Sequence, residues 1–265
     1  MTSAPPPPAL DLAVVGPSQV ELCFGDLPRM PVAGEELFST GLVVRPRSAA
    51  LTAIAAERLG LRTALGTPLG EDFPGQYLRH LLQTEHVRWL GPSVERSGLL
   101  VDFGVDCGPA VQMTTQSSAV PWQDAQPRAI AGTPPWLRDA PRGKPRYALV
   151  DGTEELAAIA DLEATALLGT EDAACRLAGD DDLTKALLRL APHWPTVVVD
   201  LGQDGVAAVT SGATVRLDGA PRPRHPLRLA HSLFVAAYVW ADLQGLDLLG
   251  RLRWAALHAA RGDVA

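Results

Sequence analysis

Apolar residues recur along this chain in short runs that end at glycine, and the runs alternate with amphipathic stretches. Leu10 to Val15 is a short apolar run ending at Gly16, the pattern of a buried first strand followed by a loop. Ser48 to Leu59 is alanine-rich and amphipathic and is closed by Gly60, which predicts a helix with a glycine just past its end. Leu61 to Gly66 then reads as a strand and Phe73 to Glu85 as a helix. The alternation resumes with a strand at Tyr147 to Val150, a helix at Glu154 to Ala160, a strand at Ala164 to Leu168 and a helix at Asp182 to Leu190. Thr196 to Asp200 is a strong buried strand that leads through a turn at Gly202 to Gly205 into a strand at Val206 to Thr210. Helices over Ser232 to Leu243 and Leu248 to Ala260 complete the chain. This succession predicts a mostly parallel central sheet with helices on both faces, a three-layer α/β/α sandwich.

Two regions break the rhythm. Glu36 to Val44, Gly98 to Val105 and Ala110 to Thr115 are rich in β-formers, which predicts half-exposed strands of a small antiparallel sheet. Gln116 to Arg146 is dense in Pro, Gln, Ser and Arg and predicts an irregular surface excursion. With residues 1–9 as a disordered proline-rich tail, residues 10–265 read as one domain.

Composition narrows the function classes. An apolar fraction of 47% is ample for a core, and a net charge of −7 argues against a nucleic-acid protein, which needs clustered Lys and Arg. Cys23, Cys107 and Cys175 stand far apart with no CxxC spacing, the pattern of free thiols rather than disulfides or a zinc site. Met1 to Pro8 lacks the features of a signal peptide and no long apolar run offers a membrane span, so the expectation is a cytoplasmic protein. Asp180, Asp181 and Asp182 lack EF-hand spacing and read as an acidic helix cap. The scattered tryptophans read as packing residues.

Four co-linear stretches carry a resemblance. They are Val14 to Glu21; Ser48 to Gly60 running into Thr63 to Gly66 and Leu69 to Gly75; Val197 to Gly205; and Leu229 to Phe234 with the helix behind it. In order and separation they resemble the PfkB/ribokinase family of sugar and small-molecule kinases. The resemblance implies a ribokinase-like fold with a β-strand lid from about 20–45 and 98–115, ATP and Mg2+ as cofactors if the protein is active, and a carboxylate at Glu21 that is either a surviving substrate contact or a leftover surface charge. It places the nucleotide turn at Asp200, Gly202 and Gly205, and the family's G-A-G-D segment at Leu229, Ala230, His231 and Ser232.

On that resemblance the catalytic chemistry is depleted. The family's aspartate takes a proton from the acceptor hydroxyl, and its glycines let helix N-terminal N–H groups cradle phosphates. Ser232 stands at the base position and has no useful proton affinity near neutral pH; it reads as the N-cap of its helix. His231 is a candidate substitute base, imidazole titrating near neutrality. The family's sugar-holding Gly-Gly and Asn align with Pro46, Arg47 and Leu51, and an aliphatic side chain cannot replace an amide's paired donor and acceptor. Asp200 replaces a threonine and brings negative charge toward any polyphosphate. The family's magnesium-linked N-x-x-E would fall near Gly169 and Asp172. The chain ends at Ala265, soon after the helix that in the family precedes adenine-pocket elements, which on the resemblance weakens ATP binding further. Arg222, Arg224 and Arg228, with His225 between them, lead into the degenerate segment and read either as solvated or as an anion site.

The expectation is a sugar-kinase homologue that is impaired or non-catalytic and keeps a cleft for a small, anionic or phosphorylated ligand. The alternatives are an active ATP-dependent kinase with a rearranged base, and a non-enzymatic subunit that forms a homodimer through its lid strands. Neither nucleic acid nor membrane is an expected partner.

Overall fold

The computed structural model describes residues 9–25, 27–103, 110–113, 120–122, 125–219 and 227–261. The chain opens with β1 (Leu12–Val15), β2 (Ser18–Gly25), β3 (Gly41–Ser48), α1 (Ala49–Arg58), β4 (Thr63–Gly66), β5 (Leu69–Gly70) and α2 (Phe73–Thr84). It continues through β6 (Arg88–Trp89), β7 (Ser93–Val94), β8 (Gly98–Asp102), β9 (Ala110–Met113), β10 (Ala129–Gly132) and α3 (Pro134–Leu137). Next come β11 (Arg146–Val150), α4 (Leu156–Ile159), β12 (Ala166–Thr170), α5 (Glu171–Ala178) and α6 (Leu183–Leu190). The last part holds β13 (Thr196–Asp200), β14 (Val206–Thr210), β15 (Ala213–Leu217), α7 (Leu227–Leu243) and α8 (Leu248–Arg261).

Nine of the described strands form the central sheet, in the order β15-β14-β13-β12-β11-β10-β1-β4-β6. Every pair from β6 to β13 is parallel, and β14 and β15 add an antiparallel edge. Burial on both faces explains the near-continuous apolar strands. In β13, Val198 packs with α7 and α8 on one side, while Val197 and Val199 pack with α5 and α6 on the other. The helices therefore cover both faces, as the alternation of runs predicts. Fully burying each such valine contributes about 1.5–3 kcal/mol.

Asp11 ties the amino ends of the three central strands together. Its carboxylate accepts from Arg62 N–H at 3.1 Å and Arg62 Nε at 2.9 Å, and from Arg128 at 3.4 Å. Arg62 leads into β4 and Arg128 into β10, so one carboxylate registers β1 against both neighbours. At the other side of the sheet, Tyr147 of β11 donates to Asp242 of α7, which also pairs with Arg251 of α8 at 2.7 Å. Burial, with the Asp242 carboxylate beside it, pushes the Tyr147 phenol far above its ordinary range. The phenol therefore stays a hydrogen-bond donor and anchors α7 to the sheet.

The irregular excursion expected over 116–146 contains β10, a central strand, followed by the short α3. Ala-Ile-Ala-Gly is too short for a periodicity, and its proline- and arginine-rich flanks mask it. The lid strand expected at Glu36 to Val44 instead spans Gly41–Ser48 and runs directly into α1. The small sheet, ordered β3-β2-β8-β9, is mixed rather than purely antiparallel, because β2 and β8 pair in parallel. The helix expected at Glu154 to Ala160 is one turn, and α5 and β15 add elements that the sequence reading lacks. Asp182 caps α6 through Thr184 and Lys185 N–H, as its position suggests. Cys23 and Cys175 are free, half-buried thiols, and Cys107 lies outside the described residues. Among the described residues no helix is long and apolar enough to cross a membrane.

Candidate functional site

Strand order reverses at the centre of the sheet. From β1 the chain proceeds to β4 and β6 on one side, then starts again at β10 and moves outward the other way. In open α/β sheets, ligands bind in the crevice at the carboxyl ends of strands beside such a reversal. Just past the ends of β4, β1 and β10 lie Thr67, Ser18 and Thr133, respectively. The hydroxyls of all three are buried and have no hydrogen-bond partner among the described residues. Gly16 sits between them: its N–H donates to Gly66 O at 3.2 Å, and a Cβ there would stand 3.4 Å from Thr133 Oγ1. Buried hydroxyls are ordinarily paired, so three orphans at one sheet edge suit a polar ligand or bound water. Sequence reasoning missed them. The available signal was the first hydroxyl residue after each glycine-ended strand.

Three strands further from β10, the carboxyl end of β13 carries Asp200. It is buried; its Oδ1 accepts from Gly202 N–H at 3.1 Å, and its Oδ2 lies 3.4 Å from His231 Nδ1. The turn that follows is tight: Leu201 N–H donates to Gly205 O at 3.0 Å and Gly205 N–H to Gly202 O at 3.3 Å. Gly205 has φ +105°, and a Cβ on it would fall 2.0 Å from Leu217 O, so no other residue fits. The structure therefore brings Asp200, Gly202, Gly205 and His231 together.

Ser232 is not an N-cap. Helix α7 begins at Leu227, five positions earlier, and Ser232 is buried inside it. Only the first four N–H groups of a helix are free of intrahelical bonds. Those of His231 and Ser232 fall beyond that set. The sequence hid this start because Pro226 precedes the helix and the four residues after it show no capping signature. The side chains of Arg228 and Leu229, and residues 222, 224 and 225, lie outside the described ones.

On the lid, Glu21 is buried between two arginines of the neighbouring strand. Arg45 Nε bonds Oε2, and Arg47 bonds Oε1 at 3.1 Å. Register explains this: Glu21 stands opposite Arg45, and Arg47 opposite Gln19. The alternative that Glu21 is a leftover surface charge does not hold. Arg45 was missed, although its i, i+2 spacing from Arg47 puts both on one face of a strand. Leu51 is half-buried in α1, the helix that begins where β3 ends. Ser48, at that junction, has φ 59° and ψ −129° and makes no side-chain cap bond.

In the second stretch, a cap and a close backbone packing contact hold α2 in place. Asp72 caps α2 through Gly75 N–H at 3.1 Å and also accepts from Ser97 N–H at 2.8 Å. A Cβ on Gly75 would lie 2.0 Å from Gly70 O. Gly169 ends in β12 against Val150, and Asp172 lies exposed in the first turn of α5, one strand from Asp200. Among the described residues no three His, Cys, Asp or Glu side chains converge to hold a metal ion.

No protein-family model matches the sequence, and no curated protein is similar to it. Solved structures are similar throughout. Ribokinase from Arabidopsis thaliana, complexed with ribose and ATP, superposes with a TM-score of 0.79 at 20% identity, covering 95% of this chain and 92% of that one. Ribokinase from Cryptococcus neoformans var. grubii, in complex with ADP, gives 0.74 at 18% identity, covering 95% and 93%. A PfkB protein from Polaromonas sp. gives 0.71 at 19% identity, covering 96% and 95%. The sheet order, the mixed lid and these superpositions together establish that the chain has the fold of the ribokinase/PfkB sugar kinases.

Proposed function

We propose that this protein is a sugar-kinase homologue that binds a small polar molecule in the crevice beyond β4, β1 and β10 but does not transfer phosphate efficiently to it. One observation carries the reading: the Asp200 carboxylate accepts the Gly202 N–H and faces His231. A carboxylate of the chain thus occupies the donor that a phosphate oxygen would need, and adds like charge beside it. The residues at this turn fit a polyphosphate poorly. The family resemblance puts the proton acceptor at Ser232, a hydroxyl inside a helix, and losing a general base costs roughly 10²–10⁴ in rate. His231, paired with Asp200, is committed to the fold in this reading rather than to an acceptor hydroxyl.

The ligand side keeps polar capacity. The orphan hydroxyls of Ser18, Thr67 and Thr133 suit a polyol or nucleoside more than an apolar molecule. Thermal shift against sugars, nucleosides, ATP, ADP and phosphate tests this. A binding sugar or nucleoside at 100 times its dissociation constant stabilises by ~2.7 kcal/mol, and ATP is expected to produce a smaller shift. A shift for ATP or ADP alone would contradict the reading.

A second reading is favoured by the lid. Its edge strands β3 and β9 expose Leu42, Val43, Val111 and Met113, apolar side chains that a solvated edge does not call for. Pairing of two lids in a homodimer would cover them. Light scattering of the protein and of Val43→Glu/Val111→Glu tests this, a monomeric parent being the contrary result.

A further inference from the structure

The amino edge of the sheet, opposite the crevice, holds a cluster of cationic side chains around one buried arginine. Arg146, the first residue of β11, is 5% exposed. Its guanidinium hydrogen bonds run to main-chain carbonyls: Glu163 O, at 2.6 Å from Nε, and Leu137 O, at 3.4 Å. The nearest carboxylate oxygen with which it pairs is 4.0 Å away on Glu163, whose side chain is 72% exposed. Carbonyl dipoles engage the guanidinium, and the exposed Glu163 carboxylate is a distant counter-ion to its charge. Burial outweighs the opposing Glu163 carboxylate and, with the like charge of Arg142 nearby, holds this guanidinium below its ordinary pKa.

A cleft of about 480 Å³ opens over Arg146, lined also by Lys144, His193, Thr165 and Glu163. A smaller one of about 110 Å³ adjoins it through Arg146 and adds Arg138, Arg142 and Asp161. Four permanent cations therefore face two carboxylates across the two lobes. One of those carboxylates, Asp161, is already held by Arg138 at 2.9 Å. On a chain of net charge −7, this is a local reversal of sign. A buried cation whose counter-ion is distant and solvated is costly, and an anion that reaches it recovers part of that cost in a low-dielectric setting. Arginine's planar fork and the neighbouring lysine match phosphate oxygens.

We infer that this amino-edge cleft is a second ligand site, separate from the crevice at the carboxyl edge, and that it takes a small phosphorylated anion on Arg146, Arg142 and Lys144. Arg146 itself holds the main chain, so the test replaces the rim. Calorimetric titration with inorganic pyrophosphate is run on the full chain, on Arg142→Gln/Lys144→Gln and on His231→Ala, each first shown by circular dichroism to melt cooperatively. The expected result is one site on the full chain, weakened about tenfold or more in the rim variant, which removes two charge-assisted contacts, and unchanged in His231→Ala. Absence of binding to the full chain, or binding lost in His231→Ala and kept in the rim variant, overturns the assignment.

Discussion

His231 Nδ1 lies 3.4 Å from Asp200 Oδ2, across the gap between the second turn of α7 and the carboxyl end of β13. The contact joins the two stretches that resemble a kinase's nucleotide turn and its catalytic helix. Both partners are largely shielded from water, so the pair is worth more than a surface contact. In the function proposed above, this internal link stands where an open phosphate cradle would be.

A double-mutant cycle measures that link. His231→Ala and Asp200→Ala are each expected to destabilise the protein, and the cycle should show a coupling of about 1 kcal/mol. Urea denaturation of the four proteins reads this directly. Additive effects would mean that the two side chains do not interact.

The lid depends on Glu21. Removing it leaves Arg45 and Arg47 facing each other with their shared carboxylate gone. Glu21→Ala is expected to cost about 3 kcal/mol, since breaking a buried ion pair costs 3–5 kcal/mol and Arg45 is partly solvated. Arg45→Ala alone should cost less. Equal losses in the two variants would show that Glu21 is not the hub.

Asp11 sets an acid limit to stability. The Arg62 hydrogen bonds hold its carboxyl below the usual carboxylate range. A carboxylate with a depressed folded value stabilises above its unfolded value of about 3.9, and that contribution fades as pH falls through the folded value. Asp11→Asn should therefore lose about 1 kcal/mol at pH 7. The gap to the parent should narrow toward pH 3, as followed by urea midpoints at both values. A gap independent of pH would remove the charge from the explanation.

Ser48 holds a backbone conformation that glycine adopts freely, with no cap bond in return. Ser48→Gly should raise stability by about 1 kcal/mol, against the usual cost of glycine at a helix start. Thermal melts report the sign.

The legible part of the fold was what burial writes into short runs: β1, α1, α2, β13 and α6 follow from apolar patterning and caps. β10 was not legible, because four residues between prolines and arginines are too few to carry a period, and its strand character comes from neighbours on both sides. The site divided likewise. Asp200, Gly202 and Gly205 could be located from a glycine-bounded turn. The role of Asp200 could not, because its partner His231 is 31 residues away and reaches it only once α7 starts at Leu227. The Glu21 clamp depended on strand register, which pairs residue 21 with residue 45 and which alternation alone cannot supply.

The central claim is that this scaffold no longer deprotonates an acceptor alcohol. The most direct test is ADP release from Mg-ATP by the purified protein across a panel of sugars and nucleosides, each set against a control without acceptor. The account expects rates indistinguishable from the control, unchanged in Ser232→Ala. Acceptor-dependent release that survives Ser232→Ala and disappears in His231→Ala would contradict it.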